Sequence, residues 1–209
     1  SSHYMLSGMM VAIYTSTDKI MLKHLLDEAQ VGFYSTALTL SNSWTFILAA
    51  INESLFPVIL QSFGNAEVFE RKNKQLYSII FYFSFSVALL VTILANPIVT
   101  LLYGAAYLPA AASLRIVTWN TAFSYLGSAR DAWIISYKRQ RYLIYLYAGS
   151  AVTNVVLNAL LIPGLGASGA ALASLVTQIS TSVIFPALIP DLRPNVRLML
   201  DAIRLTDVF

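Results

Sequence analysis

The sequence contains no cysteine and only two histidines, His3 and His24. Without thiols there is no disulfide framework and no thiolate metal site, and two histidines are too few for a histidine-based metal or catalytic cluster. Charge is scarce as well. Asp, Glu, Lys and Arg make up 11% of the 209 residues, against about 25% in an ordinary soluble domain. Nor does the chain carry a nucleophile–base pair, a metal-ligand spacing or a Gly-rich phosphate loop on a strand–helix unit. No enzymatic activity, cofactor, metal or nucleic-acid partner is expected. What replaces the missing polarity is apolar surface. Hydrophobic residues reach 57% where about 45–50% is usual, and mean hydropathy is +0.68. The balance fits a polytopic membrane protein and fits a water-soluble domain poorly.

Six apolar segments are each long enough for the roughly 20 residues a bilayer requires. They predict helix A over about Tyr4–Leu22, helix B over Phe33–Ser62 with a bend or break near Pro57, and helix C over Leu76–Leu102 with Asn96-Pro97 ending or kinking it. Helix D follows over Pro109–Tyr137, helix E over Tyr142–Ile162 and helix F over Ala167–Ile189. Proline lacks the backbone donor a helix needs, so Pro190 and Pro194 close the membrane part. The expected organisation is a six-helix unit over residues 1–190 and an amphipathic cytoplasmic tail over 191–209, lying on the surface. The chain opens Ser1-Ser2-His3 with no signal-peptide pattern, which reads as a piece of a longer protein.

The formal charge of +3 is small, and its distribution matters more. The B–C loop holds Arg71, Lys72 and Lys74; the D–E loop holds Lys138, Arg139 and Arg141; the tail holds Arg193, Arg197 and Arg204. The opposite side has Lys23, with Lys19 nearby, and no basic residue in the C–D or E–F loops. Short loops rich in Lys and Arg stay cytoplasmic. Both ends of the chain are therefore expected in the cytoplasm, with the A–B, C–D and E–F turns outside.

One stretch organises the rest. From Tyr14 to Pro57 a helix end, a charged turn and a long apolar helix carry Asp18 and Glu53 within or beside spanning segments. A carboxylate is expensive in hydrocarbon and faces a polar cavity or another helix. At the other end of the chain, Gly164, Gly166, Gly169, Ala170 and Ala171 predict a tight turn and a small-residue face, either a static seam or a moving one. Asn154 and Asn158 share a face of helix E and are expected to hydrogen-bond to a neighbouring helix.

Four stretches carry a family resemblance. Asp18-Lys19-Ile20 leads to Val31-Gly32-Phe33-Tyr34; Leu55-Phe56-Pro57 follows; then Leu102-Tyr103-Gly104 with Tyr107, Ala111-Ala112 and Leu114-Arg115-Ile116; last, Asn154 to Asn158, Leu161-Ile162-Pro163, Gly166 and Gly169-Ala170-Ala171. Together they resemble the polysaccharide branch of the multidrug/oligosaccharidyl-lipid/polysaccharide exporter superfamily, specifically the O-antigen repeat-unit (Wzx-type) flippases. The resemblance implies an all-α membrane protein of the bacterial inner membrane, built from two six-helix lobes around a cavity. This chain corresponds to the C-terminal lobe, and the N-terminal lobe is a missing partner. It further implies a polyprenyl-pyrophosphate-linked oligosaccharide as substrate and the lipid bilayer as surroundings.

Such a head group needs a hydrated, cationic route, because an unpaired phosphate charge cannot enter hydrocarbon. Arginine suits it through fixed charge and bidentate geometry. Arg115 and Arg130, near opposite ends of helix D, are the candidates. For Arg115 the alternatives are snorkelling to outer head groups or pairing with an acid. For Arg130 the alternative is an ion pair with an acid on another helix, Glu53 being one choice. Asp131 adjoins Arg130, but neighbours on a helix do not face each other, so each is expected to find a separate partner. Asp18, Glu53 and Asp131 are candidates for ion coupling or gating; Asp18 could instead form a salt bridge with Arg115. Trp44 and Asn120, in mid-helix, are sugar-contact candidates beside a plain packing role. Tyr77, Tyr82, Tyr142, Tyr145 and Tyr147 read as an interfacial belt. The competing functions are an ion-coupled multidrug or organic-cation exporter, a membrane glycan polymerase or ligase, and a structural membrane subunit. The first should show acids and few arginines; the second, a long external loop.

Overall fold

The computed structural model describes residues 16–204, and every regular element among them is helical. The first helix, α1, covers 16–25. The predicted start of helix A at Tyr4, and Tyr14 with it, lie outside the described residues. After a short turn α2 (Glu28–Asn42) is capped by Asp27, whose carboxylate accepts from the Gln30 amide at 2.9 Å. An anionic side chain satisfies an orphan donor there and complements the helix dipole.

α3 (Thr45–Gln61) follows after two residues. The single helix expected over Phe33–Ser62 is therefore two helices, starting at Glu28 and interrupted at Ser43–Trp44 rather than at Pro57. The cause is local. Ser43 Oγ donates to the Leu40 carbonyl at 2.7 Å and Thr45 Oγ1 to the Asn42 carbonyl at 2.9 Å. These hydroxyls compete with backbone amides for the carbonyls that would continue the ladder. Pro57 stays inside α3.

α4 (Ala66–Tyr103) begins well before Leu76 because Asn65 Oδ1 caps it, accepting from the Val68 amide at 3.2 Å. It continues through Pro97, where an end or a kink was expected, and stops at Gly104. Its 38 residues span about 57 Å, nearly twice the roughly 30 Å hydrocarbon core, so its polar first turns project beyond any membrane-embedded part. α5 (Ala110–Ser136) and α6 (Arg141–Ile179) complete the bundle.

α6 is two limbs, 141–165 and 167–179, folded at Gly166 (φ 57°, ψ −135°). That left-handed backbone suits glycine, and a Cβ there would lie 2.5 Å from Gln30 Oε1. The same oxygen accepts from the Ala167 amide at 2.9 Å and so caps the returning limb. The limbs run antiparallel: Asn158 and Ser174 reach the same carboxylate, and Gly149 lies against the Phe185 ring. This is the tight E–F turn expected from the glycines. A π-helical turn (Ser180–Ile184), α7 (Phe185–Leu188), a 3₁₀ turn (Pro190–Leu192) and α8 (Arg193–Ile203) close the chain.

α8 is amphipathic as expected and buries Val196, Met199 and Ala202. Ser78 Oγ on α4 donates to the Ala202 carbonyl at 2.8 Å, and Asn195 Nδ2 donates to the Tyr77 hydroxyl at 2.7 Å. Residues 205–209 of the tail lie outside the described span. Tyr77 is fully buried, which removes it from the interfacial belt; Tyr142 and Tyr147 are half-buried, and Tyr82 and Tyr145 are exposed.

Turns sort to two ends. At one end the rings of Phe63, Phe69 and Tyr137 meet edge to face, Arg139 donates to the Asp191 carbonyl, and the Tyr142 hydroxyl donates to the Asp191 carboxylate. This end gathers the three basic segments. At the other, Phe33 contacts Tyr107 and Gln30 holds Ala167. Among the described residues, three helical stretches are long and apolar enough to cross a membrane: Thr45–Gly64, Ala66–Tyr103 and the folded Arg141–Leu188.

Candidate functional site

The polar centre of the bundle is built on the C-terminal half of α5. Arg130 is 1% exposed. Its Nη2 and Nε donate to Asp131 Oδ1 at 2.7 and 3.1 Å, and Nη1 donates to the Thr181 carbonyl. The Tyr147 hydroxyl donates to Asp131 Oδ2. The expectation that Arg130 and Asp131 find separate partners is overturned, and so is a Glu53–Arg130 pair. Helix geometry keeps adjacent Cβ atoms apart, but the long arginine stem folds its guanidinium back over the neighbouring carboxylate.

Two sequence features draw it there. The first is Pro186. Across the π-helical turn the Phe185 amide donates to the Ser180 carbonyl, five residues back. The next carbonyl in that pattern, Thr181, would require the amide of residue 186, which is proline and has none. Thr181 is left with an open acceptor, and Arg130 takes it. The second is Gly127, one turn before Arg130. A Cβ there would lie 2.8 Å from Ser182 Oγ. Its absence lets α5 approach the π turn closely enough for a guanidinium to reach the backbone.

Beside this pair a cleft of about 360 Å³ opens between α3 and α5. Asn52, Glu53 and Phe56 line it from α3, Ser128 and Asp131 from α5, over an apolar floor that includes Leu76. A smaller cavity of about 120 Å³ shares Ser128 and Asp131 and extends to Arg130, Tyr147 and Gln178. Asp131 is thus a partition between the two spaces. Glu53 is exposed and makes no ion pair among the described residues, and both amide atoms of Asn52 lack hydrogen-bond partners.

Asp18 stands apart from that centre. It is 2% exposed on α1. Its Oδ2 accepts from the Tyr34 hydroxyl at 2.6 Å and from Ser174 Oγ at 2.7 Å; its Oδ1 accepts from Asn158 Nδ2 at 2.5 Å. Asn158 Nδ2 also donates to Asn154 Oδ1 at 3.0 Å, while Asn158 Oδ1 and Asn154 Nδ2 find no partner. Asn158 does serve a neighbouring helix, as expected, whereas Asn154 bonds to Asn158 on its own helix. The alternative of a salt bridge to Arg115 is overturned: no cation pairs with Asp18 among the described residues. Arg115 instead donates from Nη2 to Asn96 Oδ1 at 3.0 Å and from Nε to the Thr92 carbonyl at 3.3 Å. Both acceptors are on α4, Asn96 adjoining Pro97 and Thr92 one turn before Asn96.

Trp44 is the N-cap of α3 and packs on Phe83, its ring N–H buried without an acceptor. Asn120 is half-buried and shares no described cavity with the others. The bundle thus brings Glu53, Asp131 and Arg130 into one region and leaves Asp18, Arg115, Trp44 and Asn120 outside it. Sequence reasoning missed Ser128 on the cleft, Thr181 and Tyr147 on the ion pair, and Tyr34 and Ser174 on Asp18. Only Thr181 had a signal, the proline five residues on. No group of His, Cys, Asp and Glu able to hold a metal occurs among the described residues.

A protein family described as polysaccharide biosynthesis protein matches residues 1–112. No curated protein and no solved structure matches the chain.

Proposed function

The chain belongs to this family of polysaccharide biosynthesis proteins, and from that premise we propose that it is one six-helix lobe of a flippase. The substrate is a polyprenyl-pyrophosphate-linked oligosaccharide, an O-antigen or similar repeat unit, carried from the cytoplasmic to the outer leaflet of a bacterial inner membrane. The six spans are α1, α2 with α3, α4, α5 and the two limbs of α6, the second running on into the π turn and α7. An even number returns both ends to one side. The clustering of nine basic residues at that end supports its being cytoplasmic. A second lobe, outside this chain, supplies the facing wall.

The observation that carries the proposal is Arg130, a buried guanidinium in an apolar bundle with a cavity beside it. Asp131 presents to it the oxygen that a phosphate would present, since carboxylate and phosphate fit the same guanidinium fork. Exchange of Asp131 for a pyrophosphate oxygen would let the lobe hold the head group without leaving the arginine unpaired. Arg115, 15 residues earlier on α5, lies about 22 Å away along the axis and receives the head group near the outer end. Asp18 is the ion-coupling group of the proposal: it is a buried carboxylate held by the neutral donors Tyr34, Ser174 and Asn158 with no described cation on it, and ionisable groups so placed in a membrane mark ion and proton pathways. The function involves no covalent chemistry. Export of an organic cation is the second reading, favoured by Asp18 and Glu53, which have no cationic partner among the described residues.

The test uses the full-length protein. The double variant Arg130→Met/Asp131→Ala removes the guanidinium without stranding a buried charge, and Arg115→Gln removes the outer cation. Loss of surface polysaccharide in both, at unchanged protein level, is the expected result. Wild-type polysaccharide in both refutes the proposal, and drug resistance lost in its place supports the second reading.

A further inference from the structure

We infer that the cleft between α3 and α5 is a subsite for one monosaccharide of the carried glycan, and that it selects neutral or amino sugars over acidic ones. This rests on the flippase reading above and names part of its substrate. The cleft volume of about 360 Å³ falls within the range of about 300–1,000 Å³ typical of small-molecule sites. Its wall chemistry is that of hydroxyl recognition. Glu53 and Asp131 are acceptors, Ser128 is both donor and acceptor, and Asn52 lines the wall with a buried amide whose two donors and one acceptor a sugar would reach on displacing that side chain. Buried amides are almost always hydrogen-bonded, and Asn52 has neither atom satisfied. Phe56 and Leu76 give an apolar floor for the C–H face of a ring.

Charge sets the selectivity. Asp131 is neutralised by Arg130, which sits behind it and does not line the cleft. Glu53 is not neutralised by any described residue. The cleft therefore carries one net negative charge. A uronic-acid carboxylate would meet a like charge, and an ammonium would gain a charge-assisted hydrogen bond. An empty apolar packing defect would need neither the amide nor the acids.

Ligand-observed saturation-transfer NMR on the purified full-length protein in detergent tests this, with glucosamine, N-acetylglucosamine and glucuronate as probes. Transfer to the first two and none to glucuronate is expected. Glu53→Gln should cut glucosamine affinity roughly tenfold and leave N-acetylglucosamine nearly unchanged, whereas Asn52→Leu should weaken both. Glu53 is exposed, so its variant keeps the packing and carries the test even where Asn52→Leu misfolds. Equal or stronger transfer to glucuronate overturns the inference, as does a glucosamine signal indifferent to Glu53→Gln. Export that depends on Arg115 while no probe binds overturns the subsite and leaves the flippase reading standing. Probe binding with this selectivity, beside export indifferent to both arginine variants, supports the subsite and removes that reading.

Discussion

Asp131→Asn should destabilise the bundle far more than Arg130→Met, although the two residues form one ion pair. The asymmetry comes from burial. The Arg130 side chain is 2% exposed and that of Asp131 19%. Removing the carboxylate charge strands a guanidinium that water cannot reach, with the Thr181 carbonyl as its remaining strong acceptor. Breaking a buried pair in this way costs about 3–5 kcal/mol; the partial exposure of Asp131 points to the lower end, about 3 kcal/mol. Removing Arg130 leaves a carboxylate that water and the Tyr147 hydroxyl still serve, at about 1–2 kcal/mol. Taking out both charges together should return stability to within about 1 kcal/mol of wild type. The coupling between the two sites is then about 3 kcal/mol. Thermal unfolding of the four proteins in the same detergent reads these differences, at roughly 2–4 °C per kcal/mol for a chain of this size. If Asp131→Asn melts no lower than Arg130→Met, or if the single effects simply add, the guanidinium is not held by this carboxylate and the reasoning fails.

The hairpin turn gives a paired prediction. Gly166→Ala forces a side chain into a left-handed backbone and against Gln30 Oε1, costing about 1–3 kcal/mol, while Gly164→Ala, whose Cβ would meet nothing within 4 Å, should melt with the wild type. Tyr34→Phe removes one donor from buried Asp18 and should lower stability by about 1–3 kcal/mol, measured the same way. Asp18→Asn keeps the shape but not the charge: in reconstituted vesicles, translocation of a labelled lipid-linked oligosaccharide should lose its response to an imposed proton or sodium gradient, and a response equal to wild type removes Asp18 from coupling.

Much of the architecture was written locally. The Gly166 turn was legible because only glycine takes that backbone, and the clustering of basic turns at one end followed from counting charges along the chain. The positions of Pro57 and Pro97 misled. A proline is a strong breaker in water, but inside an apolar helix the freed carbonyl can be served by neighbours. The two hydroxyls at Ser43 and Thr45, which do interrupt the helix, look unremarkable in a window dominated by hydropathy. The early start of α4 was missed for the opposite reason: its first turns are polar, and a search for membrane-length apolar runs passes over a helix that extends beyond them.

The charged residues divide along the same line. That Asp18 and Arg130 would be enclosed could be read from their neighbours, because apolar helices leave little else for them to face. Their partners could not, since each was chosen by an element far along the chain. Asp18 is met by Tyr34, Asn158 and Ser174, and the Gly166 turn is what brings the last two to the same carboxylate. Arg130 turns back on Asp131 because Pro186 leaves the Thr181 carbonyl open and Gly127 lets α5 come close. A helical wheel drawn for α5 alone contains neither fact and assigns the two charges to different faces. The side-chain geometry of one helix is therefore fixed by backbone acceptors on another. Moving those acceptors, by changing Pro186 or filling Gly127, should release the arginine from its neighbour without altering a residue of the pair.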